Sequence, residues 1–505
     1  MTISRRKLLQ AGALGGGMAM LPLGLMQKAW AGSTQALVRY NVLSPEGDKM
    51  LRIYAAAVKK MMAKPTTDPL SWTFQWYTHA MPSKYPKAQT ITEVFGSGSS
   101  PQKALAQSMW WTCEPHSSGN NDAFLPWHRM YVLYFEQIIR EVSGEPKFTL
   151  PFWDYTGPYS AAGNNYSVMP KQFLLKDDPV FGSLYRPDRN PNSNAGKPVV
   201  NNGSPLDLSC MKWSDYSGKF GFCNNIDNNP HGSLHGDVGN SLGMGAVPWA
   251  AYDPVFWVHH ANIDRIWAGW NRSGGKNPSD SKFLSESWVF ADKAGKAVTT
   301  KVSQVLDTTT CPYPYIYSEY PQRPKASLQF TTTQKKFQLQ AQSLVAAAPS
   351  ATANAISLGG KATTVALVTH SFSTSTNAAQ PAARTFALQL KAQPAIREYA
   401  LSFEAIAADS EPGNSYDVYL GLPAGAAPDP EYRVGSISMF GVGNQAMHGG
   451  HHAGSKDVAF LVSEQMQKLL KVGTLTDAPA VTLVPVGDPN PGSAPTIGNI
   501  SLQTL

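Results

Sequence analysis

The sequence predicts a mainly helical front part with long loops, followed by an all-β sandwich. All thirteen tryptophans of the 505 residues lie before residue 290, so the largest aromatic side chains belong to the front part. From about residue 327, short apolar runs alternate with polar residues, and this period of two is typical of antiparallel strands. A proline-rich and tyrosine-rich segment at residues 308–324 separates the two patterns. We therefore expect one domain at residues 32–325 and a second at residues 326–505.

Apolar residues recur at helical spacing in the front part. Residues 48–64 carry this spacing, and residues 68–69 and 253–254 each combine a capping aspartate with a proline, which is a helix start signal. Residues 125–126 begin a further helix. Each of the three helices that start at these prolines has a histidine on its apolar face: His79, His128 and His260.

Alternating runs predict the strands of the C-terminal part. They are separated by Gly, Pro, Asn and Ala, a composition that favours turns between antiparallel strands. The predicted strands lie at residues 337–340, 364–367, 386–389, 399–403, 416–420 and 458–462.

The first 31 residues have the features of an export leader. Residues 4–9 resemble the twin-arginine pattern, a glycine-rich apolar stretch follows, and residues 29–31 supply a small-x-small cleavage signal. The alternative is a transmembrane anchor, but five glycines and a proline make this stretch a poor one, and no second apolar run of about 18 residues occurs. We expect export by the twin-arginine route, a periplasmic or secreted location and no stable membrane insertion.

Charge and cysteine content narrow the classes of function. The net charge is +7, four of the basic residues lie in the leader, and the others are scattered, so a nucleic acid partner is not expected. The four cysteines include no CxxC pair, which argues against a zinc ribbon. A disulfide between Cys210 and Cys223 stays open.

The distribution of histidine is the most informative feature of the chain. Seven of the eleven histidines fall between residues 79 and 260. His231 and His235 are spaced one helical turn apart, which is common among metal ligands. Neither HExxH nor Glu-x-x-His occurs, which argues against a zincin protease and a carboxylate di-iron bundle. Imidazole suits copper, zinc, nickel and iron, so the count alone does not select the metal.

Two stretches resemble the copper signatures of type 3 dicopper tyrosinases and polyphenol oxidases. Residues 124–132, closing with Glu136, resemble the first-copper signature, and residues 253–260, closing with Asp264, resemble the second. The resemblance covers about residues 35–325 and implies a four-helix bundle that holds a dinuclear copper centre. It also implies an enzyme that oxidises o-diphenols, and in some members hydroxylates monophenols, with dioxygen to give o-quinones.

The resemblance assigns three histidines to each copper ion. Physical reasoning leaves His259 and His260 equal, and the resemblance favours His260. His116 lies twelve residues before His128, where the family usually has nine. Cys113 either forms a thioether to the ring of His116, as a nearby cysteine does in many relatives, or is a plain buried thiol. The implied ligands are His79, His116 and His128 for one copper, and His231, His235 and His260 for the other.

Residues beside the metal have implied roles as well. Asp227 stands where the family usually has a water-holding glutamate, and Gly232 where it has an asparagine, which favours diphenol oxidation over monophenol hydroxylation. Val247 matches the position of a gate residue, and its small side chain favours open access.

Ring orientation and pocket walls complete the expected site. We expect Asp264, with Glu136 as a weaker candidate, to orient ligand rings, the alternative being ordinary ion pairs with Arg265 or Arg129. Phe256 and Trp257 are expected to wall the pocket, the alternative being core packing.

Other interpretations use the same residues. An o-aminophenol oxidase would have the same site, and a dioxygen carrier of the haemocyanin kind would use the six histidines without turnover. Residues 447–452 form either a separate copper patch or a flexible loop. The C-terminal domain is a candidate shield that keeps the enzyme latent, as in plant-type relatives. The oligomeric state is not predicted.

Overall fold

A computed structural model describes residues 36–114, 122–157, 166–200, 206–323, 344–346, 355–369, 398–443, 455–471 and 479–505. The predicted leader, His116, the strands at 337–340 and 386–389, and residues 447–452 lie outside these ranges. The front part is helical, as predicted, with two small sheets. Its helices are α1 (Pro45–Met62), α2 (Trp72–His79), α3 (Lys87–Phe95), α4 (Pro101–Met109), α5 (Phe124–Ser143), α6 (Pro191–Asn194), α7 (Phe222–Ile226), α8 (Ser233–Val238), α9 (Val247–Ala250), α10 (Val255–Arg272) and α11 (Ser281–Ser285). Strand β1 (Leu37–Arg39) pairs in parallel with β4 (Tyr315–Tyr317), and β2 (Ser287–Ala291) pairs antiparallel with β3 (Ala297–Lys301).

Four helices meet around an aromatic centre in the front part. Tyr54 of α1 and Trp72 of α2 contact the ring of Phe135 on α5, with ring centroids 6.2 and 6.0 Å apart. Trp257 of α10 stacks on Phe135 with 3.4 Å between centroids. Buried aromatic side chains contribute most of the apolar area in such a core, so these rings hold the bundle together. Trp257 therefore belongs to the core, and the expectation that it walls the pocket is wrong.

Local capping sets where the helices begin. The predicted starts of α5 and α10 are confirmed, since α10 begins directly after Pro254. The helix predicted from Asp68 begins instead at Trp72, because the Ser71 side chain accepts a hydrogen bond from the backbone of Phe74 and caps it. Asp68 ends a preceding turn, where it accepts from the backbone N–H of Leu70 at 2.8 Å.

One buried carboxylate joins the first and last strands of the front part. Asp264 of α10 forms ion pairs with Arg129 of α5 and, at 3.2 Å, with Arg39 of β1. It also accepts hydrogen bonds from Tyr315 at 2.6 Å and Tyr317 at 2.5 Å, both on β4. Burial acts to raise the pKa of Asp264, but the two arginines more than offset it and the pKa is lowered. The oxygens of Asp264 are thus taken up by structural partners, and its expected role in orienting a ligand ring is wrong.

Glu136 belongs to the same buried network. Its carboxylate lies 2.9 Å from Nε of Arg39 and 2.6 Å from Nη2 of Arg140, and it accepts from the backbone N–H of Leu150 at 2.8 Å. Glu136 therefore forms ion pairs rather than orienting a ligand ring, but with Arg39 and Arg140 instead of the expected Arg265 or Arg129.

The C-terminal part is one path of antiparallel strands. The predicted strands at 364–367, 399–403, 416–420 and 458–462 are confirmed. Val418 and Leu483 from one half of the path and Leu401 and Ile500 from the other share one apolar cluster, which is the packing of a β-sandwich. The helix α12 (Ser463–Lys471) departs from the all-β prediction. The path is β10 (Arg433–Ser438), β9 (Ser415–Leu420), β12 (Ala480–Val486), β7 (Thr363–Thr369), β5 (Leu344–Ala346), β14 (Asn499–Thr504), β8 (Tyr399–Ala407), β13 (Thr496–Ile497) and β6 (Ile356–Ser357), with β11 (Ser455–Leu461) on β8.

Neither a membrane span nor a disulfide is present in the ranges that the structure describes. Among those residues, the helices are too short or too polar to cross a bilayer. Cys210 and Cys223 are both buried, burial raises the pKa of each thiol well above its ordinary value, and no disulfide joins them. The disulfide that the sequence leaves open is therefore not formed.

Replacement of Asp264 by Asn tests the buried network. We expect Asp264→Asn to lower the free energy of unfolding by about 3–5 kcal/mol, because the buried Arg129 would keep its charge without a compensating carboxylate, while Arg39 would keep only Glu136. Urea denaturation measures this change. In the control Arg52→Gln, on an ion pair whose arginine side chain is 54% exposed, the loss should be about 1 kcal/mol or less. Equal losses in the two variants would contradict the assignment.

Candidate metal centre

Five of the six predicted ligands lie in the described residues, and the fold brings them together. The elements that carry them are the bundle helices α2, α5 and α10, the short helix α8, and the irregular turn at residues 227–232 that precedes α8. All five rings are buried, with exposed fractions of 2% or less: His79, His128, His231, His235 and His260.

Backbone carbonyls orient three of these rings. In each case Nδ1 is within hydrogen-bond distance of a carbonyl oxygen. A carbonyl can only accept, so Nδ1 carries the proton and Nε2 keeps its lone pair for a metal. The pairs are His79 with Val247 (3.1 Å), His128 with Phe124 (2.8 Å) and His235 with Met244 (2.7 Å).

Asp227 orients the ring of His231. Its Oδ1 is 2.9 Å from Nδ1 of His231, and its backbone carbonyl is 3.2 Å from the same atom. A carboxylate behind a ligand imidazole fixes the ring and increases its basicity. The structure thus places Asp227 behind the ligand.

His260 lies where two sets of ligands meet. Its ring stacks on that of His128 with 4.4 Å between centroids and 8° between planes. Neither of its ring nitrogens has a hydrogen-bond partner among the described residues. Burial lowers the pKa of His260 well below its ordinary value, and the neighbouring histidines lower it further, so the ring is neutral. Neighbouring His259 differs, since its Nδ1 is 2.7 Å from the hydroxyl of Tyr155.

The ligand atoms form two adjacent groups. Within each group, the ligand atoms lie within 4.8 Å of one another. A buried polar atom without a partner is costly, and a metal ion would satisfy the ring of His260. Several neutral imidazoles suit copper, so the donors present fit a pair of copper ions. The groups are His79, Cys113 and His128, and His231, His235, His259 and His260.

Cys113 is placed in the first group. Its Sγ is 3.5 Å from Nε2 of His128, and burial raises the pKa of this thiol well above its ordinary value. His116, the predicted third ligand of this group, is outside the described residues. Its ligand role and the thioether therefore stay predictions.

The remaining residues singled out by the sequence lie around the two groups. Phe256 contacts His79 and His260, with ring centroids 5.0 and 4.2 Å apart, so it walls the site. Val247 is buried. It contacts the site through its backbone carbonyl, which accepts the hydrogen bond from Nδ1 of His79. A side chain at position 232 would meet Ser438 of the C-terminal part rather than open space, so Gly232 is closely packed.

Phe440 is the site residue that the sequence does not reveal. It follows β10 in the C-terminal part and is 3% exposed. Its ring stacks on His235 with 3.9 Å between centroids and 7° between planes, and it meets His231 edge-on at 5.7 Å. No motif surrounds Phe440, and it lies 180 residues after His260, so no local pattern links it to the histidines.

Matched substitutions test the choice between the two adjacent histidines. We expect His260→Asn to bind about one copper ion fewer per chain than the unaltered protein, because its unpartnered ring would be a ligand. His259→Asn should keep the full copper content, because the family resemblance assigns the third ligand of this group to His260. Metal analysis after dialysis measures both. Loss of copper from His259→Asn alone would reverse the assignment.

Sequence comparisons match both parts of the chain to known families. The common central domain of tyrosinase matches residues 69–205 and 209–273. A domain family of unknown function, DUF7868, matches residues 346–504.

Individual relatives match over part of their length. The chain is 31% identical to the tyrosinase HcTyr1 of Hahella sp. (strain CCB-MM4) over 302 residues, which are 55% of this chain and 62% of that protein. It is 27% identical to polyphenol oxidase A1 of Vicia faba over 300 residues, which are 53% of this chain and 45% of that protein. The matched region thus spans about half to three fifths of these relatives.

Solved structures share the fold over nearly the whole chain. Latent apple tyrosinase covers 94% of this chain and 98% of its own, with a TM-score of 0.57 and 20% identity. Latent aurone synthase covers 94% of this chain and 90% of its own, with a TM-score of 0.60 and 20% identity. At 20% identity, these two structures show only that the fold is shared. The family relationship rests on the sequence match to the central domain of tyrosinase. The part of the chain that carries the histidines therefore belongs to the tyrosinase and polyphenol oxidase family.

Proposed function

We propose that this protein oxidises o-diphenols to o-quinones with dioxygen at a pair of copper ions. The observation that carries the proposal is the convergence of buried imidazoles in two adjacent groups, in which the Nδ1 atoms of four ligand rings are held by the chain. When bound, the copper pair accepts electrons from the substrate and passes them to dioxygen. Two o-diphenols and one dioxygen give two o-quinones and two waters, so electrons and protons balance.

Protein side chains supply the place for an aromatic ring. Phe440 lies parallel to the imidazole of His235 at 3.9 Å, and a phenol ring in its place would stack in the same way. Phe256 closes the site from α10, with its ring 4.2 Å from that of His260. The apolar surroundings exclude water, which strengthens polar interactions with a bound phenol.

Diphenol oxidation fits the surroundings of Asp227 better than monophenol hydroxylation. The carboxylate that would hold a water is bound to His231 at 2.9 Å. Lys456 of the C-terminal part also faces it; burial lowers the pKa of Lys456 to about 8, and Asp227 acts to raise it. Gly232 offers no side-chain amide. We infer that phenol deprotonation has no dedicated base here.

Dioxygen uptake by the copper-loaded protein tests the proposed reaction. We expect rapid uptake with 4-methylcatechol, and a rate with tyramine that is lower by about tenfold or more, which is a barrier difference of about 1.4 kcal/mol. A faster rate with o-aminophenol would favour an o-aminophenol oxidase. Reversible dioxygen binding without product would overturn the proposal in favour of a carrier.

We further propose that residues 326–505 form a cover that keeps the site latent, and that residues 1–31 direct export by the twin-arginine route. Support for the cover comes from Phe440, and from Ala400 and Ala459, which share the apolar core of the front part. Support for export is the leader pattern of the sequence.

Removal of the Phe440 ring tests the cover. Phe440→Ala should raise the rate of 4-methylcatechol oxidation by the full chain several-fold, because the space on His235 would be free for a substrate ring. Cleavage of the unaltered chain beyond β4, within residues 318–324, should raise its rate as well. Rates unchanged by both treatments would contradict latency.

Glu411 makes the cover pH-dependent. Its carboxylate accepts hydrogen bonds from the backbone N–H groups of Gly441, beside Phe440, and Val247, in the front part, and burial raises its pKa from 4.5 to about 7. A raised pKa means that the closed form holds the proton more tightly, so closure is strongest at low pH and weakens as pH rises from about 4.5 to 7.

Glu411→Gln tests this dependence. The amide keeps an acceptor oxygen but no charge, so the variant should lack the rise in 4-methylcatechol oxidation that the unaltered chain shows between about pH 4.5 and 7. The measurement is the ratio of the oxidation rate of the unaltered chain to that of Glu411→Gln across this pH range. A ratio independent of pH would show that Glu411 does not control closure.

A further inference from the structure

We infer that Gly232 is a docking residue: the missing side chain next to the ligand His231 admits Ser438 and thereby sets Phe440 on His235. The inference rests on the proposed function in that it explains how the proposed cover is seated. It concerns residues of both parts of the chain that the sequence does not connect.

Contact distances show why position 232 takes glycine. A Cβ atom built there would lie 2.7 Å from Oγ of Ser438, which is closer than real Cβ contacts allow. It would also lie 3.1 Å from Cβ of Ser438. Both residues are buried, and Ser438 is 2% exposed. Any side chain at position 232 would therefore displace either α8 or the end of β10.

Asn228 fixes the register of the segment that docks at Gly232. Its side-chain Nδ2 donates to the carbonyl of Ser436 at 2.8 Å, and its Oδ1 accepts from the backbone N–H of Ser438 at 2.9 Å. The amide thus bonds β10 as a neighbouring strand would. A shift by one residue would turn every side chain of the strand to the other face, so these two bonds specify which residues face the site.

Phe440 follows from this register. The backbone N–H of Phe440 donates to Oγ of Ser438 at 3.2 Å, which holds the two residues in one compact turn. Ser438 packed on Gly232 therefore determines where the ring of Phe440 falls. The glycine therefore makes room for Ser438, whose hydroxyl lies beside position 232 together with the backbone carbonyl of Asp227.

Complementary substitutions test this packing. The full, copper-loaded chain is compared with Gly232→Ala, Ser438→Gly and the double variant, and amide hydrogen exchange is measured at residues 436–440. Gly236→Ala is the matched control, since it adds the same methyl group to α8 where nothing lies within 4 Å of the new atom.

We expect exchange at residues 436–440 to rise about tenfold or more in Gly232→Ala, the size that an overpacked contact produces. In the double variant the exchange rate should match that of Ser438→Gly alone, which already lacks the Oγ acceptor for the Phe440 N–H, and in Gly236→Ala it should be unchanged. Oxidation of 4-tert-butylcatechol should rise and fall in parallel.

Faster exchange in the double variant than in Ser438→Gly alone would overturn the inference, because the added methyl group would then act through the carbonyl of Asp227, 3.0 Å away. Unchanged exchange in Gly232→Ala would overturn it as well. Exchange is read without substrate, so a chain that oxidises no catechol yet shows the expected exchange pattern would refute the proposed function and leave the docking of Ser438 on Gly232 intact.

Discussion

Hydrogen bonds at the Nδ1 atoms of buried histidines are the interaction on which the site depends. Each such bond contributes only about 0.5–1.5 kcal/mol to stability. Its larger effect is to select one tautomer and one ring orientation, so that Nε2 points toward the neighbouring imidazoles. The acceptors for His79 and His235 come from the chain around α9, which therefore must hold its place against the bundle. Aromatic packing between the bundle helices supplies that rigidity.

The C-terminal part meets the site through backbone geometry as much as through side chains. Asn228 bonds two backbone groups of β10, and Glu411 accepts from two more, one in each part of the chain. Contacts of this kind depend on position more than on the identity of the neighbouring side chain. They fix the place of Phe440 over His235 through backbone groups that every non-proline residue carries.

Sequence reasoning reached the fold and the metal centre because both have local signals. Each helix start, each alternating strand and each of the two histidine signatures is a pattern contained within a short stretch of sequence. The errors arose where a side chain had several possible partners: Asp264 is four residues from His260, yet its oxygens are bound by arginines and tyrosines.

Long-range contacts lay beyond the reach of sequence reasoning for the same physical reason. Phe440 touches His235 across 205 residues of chain, and the glycine at position 232 is explained only by Ser438. A pattern in the sequence records the spacing of residues within one element. It does not record which surface of a later domain will be placed against that element.

The buried pairing of Asp264 with both end strands also sets an order of events during synthesis. The front part can close once Tyr317 has left the ribosome, and Phe440 follows 123 residues later. At about 5–20 residues per second, this interval lasts about 6–25 s. The histidines can therefore assemble before the ring that stacks on His235 has been synthesised.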